Sequence, residues 1–231
     1  MQRIITLVVV VAVVLIAGFF YFTRPVSAPT QAVDTVAEKL APATQTDETK
    51  TSVTEEKVYR ISQAQSSVQF SIGEILNGAP FTAVGKTSEV GGDILVSNTA
   101  IKVGTMSVNA KTFKTDSSQR DGAIVRFILK SDKPENEFIT FKLAQPIALM
   151  APLAEGKEIS ATISGNVTIS GVTKPATFTV KIKTQAGKFS VAGDTTIKRS
   201  DFGLKIPDLS FLASIDDEVK ISVLAVAEMV K

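Results

Sequence analysis

The 231 residues predict an all-β fold of antiparallel strands, and three observations carry that expectation. Apolar residues recur with a period of two over most of the chain beyond residue 58, the signature of strands with one dry and one wet face. Clusters of Gly, Pro, Thr and Lys separate these runs at hairpin spacing. No strand alternates regularly with a helix, so a parallel α/β sheet is excluded. A long series of hairpins protects its edges by closing into a barrel or folding into a sandwich.

Residues 4–22 come first and differ from the rest. They are uncharged, interrupted only by Thr6 and Gly18, and end in Phe19-Phe20-Tyr21-Phe22. As a helix they reach about 28 Å, close to the hydrocarbon thickness of a bilayer. The stretch exceeds the apolar core of a signal peptide, and Pro29 follows the one passable cleavage tripeptide, Val26-Ser27-Ala28. Residues 1–23 are therefore expected to form a transmembrane anchor, with the remainder on the extracytoplasmic side. Residues 24–57 are rich in Thr, Pro and Ala, lack aromatics and carry mixed charge. Such a segment buries too little apolar surface to offset its ordering entropy and reads as a disordered linker. Val33, Val36, Ala37 and Leu40 share helical spacing within it, but a helix this short is marginal in water.

The folded domain is expected over residues 58–231. Val68, Phe70 and Ile72 form its first comb, and Ile139, Phe141 and Leu143 a later one. Ile159, Ala161, Ile163, Val167 and Ile169 follow, then Ala176, Phe178, Val180 and Ile182, and finally Val219, Ile221, Val223, Ala225 and Ala227. Residues 89–93, 171–175 and 185–188 are the expected hairpin connections. One interruption is helical, with Asp116 as the expected N-cap and Ile124, Phe127 and Ile128 on one face. Periodicity does not choose between barrel and sandwich. Ala161, Gly165, Ala176, Gly193, Ala225 and Ala227 lie on or near the dry faces, and small inward side chains favour an unfilled interior over a solid core.

Composition narrows the chemistry. The chain has no Cys, His or Trp, and its formal charge is +2. Disulfides, thiolate or imidazole metal sites and His-based triads are thereby excluded. The basic residues are not massed, so nucleic acid is not an expected partner. Asp216-Asp217-Glu218 lacks the alternating spacing of a calcium loop and reads as a solvated turn. Asn166-Val167-Thr168 fits a glycosylation acceptor but lies mid-strand. No Ser-x-x-Lys, phosphate-cradling glycine loop or metal-ligand spacing occurs, and the expectation is a binding protein, not an enzyme, with no metal.

Several blocks together resemble the YceI-like family. They are residues 59–70, Gly85 with Gly92-Asp93-Ile94, Arg120-Asp121, Phe138-Ile139-Thr140-Phe141, residues 165–175, residues 197–204 and residues 219–227. The resemblance implies an antiparallel lipocalin-like β-barrel of about eight strands with one short helix, binding a polyisoprenoid lipid or isoprenoid quinone. It also admits a homodimer, though no dimer face is identifiable in these residues. Where that family often has Asp and two His, this chain has Ser62, Gln65 and Glu74, and Glu137 replaces a proline. Histidine head-group contacts are thus not carried over.

Phe70, Ile72, Phe141, Ile163, Val167, Phe178, Val180, Phe189, Val191 and Val223 are the expected ligand-lining residues. Arg120 and Arg199 are candidates for a head group, because a planar guanidinium suits phosphate oxygens; the structural alternative pairs each with a nearby Asp or with turn carbonyls. No other cofactor is expected. The expected role is storage, transport or sequestration of an apolar chain lipid by a tethered barrel. A lipid-free interaction or scaffold module on the same barrel is the alternative.

Overall fold

A computed structural model describes residues 56–207 and 212–230. The expected anchor of residues 1–23 and nearly all of the linker lie outside the described residues. Among the described residues no helix is long and apolar enough to cross a membrane.

The chain forms a curled antiparallel sheet, a half-barrel, around one apolar core. β1 (Lys57–Ile61) and β2 (Ser67–Leu76) are separated by a 3-10 turn at Gln63–Gln65; β3 (Ala79–Thr87) returns antiparallel to β2. Four short strands follow: β4 (Val90–Gly91), β5 (Asp93–Val96), β6 (Ala100–Val103) and β7 (Met106–Asn109). The helical interruption contains α1 (Ser118–Ala123) and a π-type turn over Ile124–Ile128. Then come β8 (Phe138–Leu143), β9 (Ile147–Ala148) and the three long strands β10 (Glu158–Ile169), β11 (Val172–Gln185) and β12 (Lys188–Lys198). A 3-10 turn at Arg199–Phe202, the short β13 (Leu212–Ile215) and β14 (Glu218–Met229) complete the sheet.

The ladder runs β4-β7-β8-β10-β11-β12-β14-β1-β5-β6-β9, with β2 pairing β14, β3 and β13. β14 is the hub. Its last residues pair with β1 (Ala227 with Ile61), and its middle pairs with β2 (Val223 with Val68). The sequence expectation of about eight strands is corrected to fourteen strand segments among the described residues. The additional ones are two to four residues long, too short to show an alternating comb, and Gly92, at φ 144°, divides β4 from β5.

Local chemistry explains the connections. Asn77-Gly78, Ser170-Gly171 and Ala186-Gly187 each have positive φ at both residues, as two-residue type I′ hairpins require. The expected connection at residues 171–175 is therefore corrected to Ser170-Gly171. Lys174 and Pro175 lie within β11, opposite Val167 and Asn166, and the ring of an exposed proline is accommodated there. Likewise Val90 and Gly91 are buried strand residues, not turn residues. The helix cap also moves by one position. Ser117, not Asp116, accepts the backbone N–H of Arg120 through its side chain, while the Asp116 carboxylate pairs with the Arg120 guanidinium. The π-type turn then shifts the helical spacing, burying Ile124 and Val125 and leaving Phe127 40% exposed, off the expected face.

The core joins buried residues from both ends of the sheet, including Ile61, Ile94, Ile101, Phe113, Val180, Ile182 and Phe189. Two glycines admit aromatic rings. A Cβ on Gly165 would stand 2.4 Å from the Phe141 ring, and one on Gly85 would stand 2.2 Å from the Phe70 ring. A bare glycine opposite or beside an aromatic lets the ring lie flat on the strand.

Candidate functional site

The concave face of the sheet encloses a cavity of about 830 Å³, at the upper end of the range typical of small-molecule sites. Its wall is almost wholly aliphatic and aromatic. It is built by the inward-facing positions of β2, β10, β11, β12 and β14; along β10 and β11 these alternate with mostly exposed Thr, Ser and Lys on the outer face. Every one of the ten expected lining residues borders it: Phe70, Ile72, Phe141, Ile163, Val167, Phe178, Val180, Phe189, Val191 and Val223. Phe141 and Phe178 meet edge to face at 5.3 Å between ring centroids, and Phe70 meets Phe113 similarly at 5.4 Å.

The small residues contribute less space than their size suggests. Gly193 and Ala225 border the cavity. The room at Gly165 is occupied by the Phe141 ring, and Ala161, Ala176 and Ala227 are not part of the wall. The helical interruption closes one side of the space through Ile124, Ile128 and Leu129.

Polar groups gather at one end, where β2 finishes. Glu74 is buried, its side chain 6% exposed, and its Oε1 accepts from Arg120 Nη2 at 2.8 Å. Arg120 also pairs with Asp116 and lies over the Phe81 ring, 5.3 Å from its centroid. Its sequence neighbour Asp121 is engaged elsewhere, accepting from the Thr115 backbone N–H at 2.7 Å and hydroxyl at 2.8 Å. Arg199 is held at the same end. Its Nε donates to the Asp216 carbonyl at 3.0 Å and its Nη1 to the Leu204 carbonyl at 3.2 Å, while the Asp216 backbone N–H donates to Gly73, adjacent to Glu74. Asp217 accepts from the Ser200 hydroxyl and backbone N–H, and these bonds, with the Arg199 charge, hold its carboxyl below its usual range. Among the described residues no group of three potential metal ligands occurs.

The Arg120–Asp116 pair and the carbonyls held by Arg199 are contacts of the kind the structural alternative described; the buried Glu74 carboxylate as a partner of Arg120 is the part of the site that the sequence reading missed. A signal was present: Glu74 continues the period of Val68, Phe70 and Ile72, which places a carboxylate on the dry face, where it demands a cation. Val90, Ile94, Ile101, Met106 and Val108 also border the cavity and were missed because their strands are short.

The sequence profile of the YceI-like domain matches residues 59–227. Among solved structures, a polyisoprenoid binding domain from Saccharophagus degradans, implicated in plant cell wall breakdown, shares 16% identity. The match covers 74% of this chain and 98% of that one, with a TM-score of 0.62. BcnA of Burkholderia cenocepacia shares 19% identity over 72% of this chain and 99% of its own, with a TM-score of 0.51. At these identities the likeness is one of fold. No curated protein gives a significant sequence match.

Proposed function

Because the chain belongs to the YceI-like domain family, we propose that it holds one apolar chain lipid, a polyisoprenoid or an isoprenoid quinone, inside the curled sheet. The observation that carries this reading is the cavity of about 830 Å³ with its aliphatic and aromatic wall. The description of the Saccharophagus domain as polyisoprenoid binding supports it. A packed core or a lipid-free scaffold gives no account of so large an apolar space, since protein interiors ordinarily contain few voids larger than a water molecule.

We read the sheet as a closed lipocalin-like barrel. Its ladder starts at β4 and passes through β1 to β5, and β4 and β5 are joined by Gly92 alone. The wall residues then surround the guest. Burial of hydrocarbon yields about 0.8 kcal/mol per CH₂, so each five-carbon isoprene unit contributes roughly 4 kcal/mol before association and ordering costs. A few units suffice for useful affinity with no covalent chemistry. The role is binding, for storage, transport or sequestration.

Residues 4–22 anchor the protein in this reading, and residues 24–57 tether the domain to the extracytoplasmic face of the membrane. The support is the sequence itself: an uncharged span of bilayer length followed by a polar, proline-bearing segment. A tether raises the domain's effective concentration at the bilayer that supplies its ligand. The test is to purify the full-length protein from native membranes, extract it with organic solvent and identify the extract by mass spectrometry. One isoprenoid-chain lipid per protein chain is expected. An empty protein that also fails to take up a fluorescent prenyl probe overturns the reading.

A further inference from the structure

Among the described residues, four charged side chains border the cavity: Glu74, Asp116, Arg120 and Arg199. They stand together around the end of β2. Ile215 of β13 pairs with Glu74 in the ladder, and the next residue, Asp216, supplies the carbonyl that Arg199 binds. These two guanidiniums and two carboxylates balance in formal charge, and both guanidiniums are already engaged. Arg120 is shared between the Glu74 and Asp116 carboxylates. Arg199 donates to two backbone carbonyls and lies near the Asp217 carboxylate.

We infer that this polar end selects a chain lipid with a neutral, hydrogen-bonding head, a hydroxyl or a carbonyl, over one ending in a phosphate or diphosphate. The inference rests on the lipid-binding reading and adds the chemistry of the head. A phosphate group seeking Arg120 meets the Glu74 carboxylate at the same guanidinium. To gain the cation it either displaces a side chain that is 94% buried and leaves that charge uncompensated, or takes the remaining N–H groups and sits against that carboxylate, and both are costly in a low-dielectric site. It also meets the Asp116 carboxylate, so like charges face one another. A hydroxyl or carbonyl displaces nothing. It accepts from guanidinium N–H groups, and a hydroxyl in addition donates to a carboxylate oxygen, both of which have more than one hydrogen-bonding position. Asn77, Ser117 and Gln119, which also border this end, are neutral and serve either direction of such a bond.

Three probes with the same saturated twenty-carbon isoprenoid tail separate the possibilities: phytanol, phytanyl diphosphate and the headless hydrocarbon phytane. Each is offered at equal concentration to the full-length protein at neutral pH and low salt, and bound species are counted by native mass spectrometry. The alcohol is expected to bind about tenfold or more tightly than the diphosphate, the size of effect expected when a like charge is brought near a partly buried carboxylate. It is also expected to bind more tightly than phytane. In Glu74→Gln the diphosphate should recover by about tenfold relative to the alcohol. Asp116→Asn, at a carboxylate whose side chain is 60% exposed, should shift the ratio the same way without loading the fold. Equal or preferred binding of the diphosphate, or binding of phytane as tight as the alcohol, overturns head selection and leaves the lipid reading standing. Binding of none of the three overturns both. Ratios unmoved in Asp116→Asn and in a folded Glu74→Gln overturn the assignment to these residues.

Discussion

Gly165 shows how a single residue shapes the cavity wall by omission. It is buried in β10 between the Leu143 and Ala176 positions of the neighbouring strands, and the Phe141 ring lies across it. An added Cβ would meet the ring at 2.4 Å and the Lys142 carbonyl oxygen at 2.5 Å, one of them backbone that cannot rotate away. Phe141 would be driven from its edge-to-face contact with Phe178, on the cavity side. Gly165→Ala is therefore expected to destabilise by about 1–3 kcal/mol, the usual cost of overpacking. Urea denaturation followed by circular dichroism checks it, and unchanged stability would mean that the ring has another place to lie. Glycine on a dry face suggests empty space when read from sequence; here the missing side chain is replaced by a neighbour's. Size at one position does not reveal who fills it.

At the scale of elements, the three long hairpins test turn chemistry. Each turn places two residues at positive φ, but only Asn77-Gly78 uses the pair that suits that geometry best. Ser170 is retained for another purpose, since its hydroxyl donates to the Leu129 carbonyl at 2.6 Å and ties the hairpin to the π-type turn. Ala186 has no such side-chain contact, and its Cβ sits in the left-handed region at φ 52°. Ala186→Asn is expected to stabilise by about 0.5–1 kcal/mol, because Asn adopts that conformation at a lower cost than Ala. The backbone N–H of residue 186, which donates to Glu155, is unaffected. A thermal melt that moves down instead of up would show the turn to be less constrained than its φ angles imply. The long strands were legible because ten or more residues of strict alternation leave one register that buries the apolar face. β4, β5, β6, β7 and β9 were not, because two to four residues contain no period. The candidate site divides along the same line. The part of its apolar wall that belongs to the combs, with Ile163, Phe178 and Val180, was readable. The Glu74–Arg120 pair joins β2 to α1 across 46 residues, and only folding brings such partners together.

For the whole molecule, the decisive property is that the interior is under-filled, and stability and binding then respond in opposite directions to the same substitution. Val223 borders the cavity from β14, between Gly193 on one neighbouring strand and Val68 on the other. In a fully packed core a larger side chain there would force its neighbours off their rotamers and cost about 1–3 kcal/mol. Beside a void of about 830 Å³ it instead gains contacts with atoms that had none. Val223→Phe is accordingly expected to leave the delipidated protein as stable as the unaltered chain or slightly more so, while weakening uptake of a prenyl probe about tenfold. The lipid provides the complementary measurement. A ligand that binds only the folded state at a hundred times its Kd stabilises it by about 2.7 kcal/mol. For a domain of this length that corresponds to a rise in Tm of roughly 5–10 °C. Loaded and solvent-stripped protein should differ by that amount in the unaltered chain and by much less in Val223→Phe. If the variant instead melts lower and still takes up the probe, the space beside Val223 is not where the guest resides. The wall would then have to be sought among the short strands, at Ile94, Ile101 and Val108.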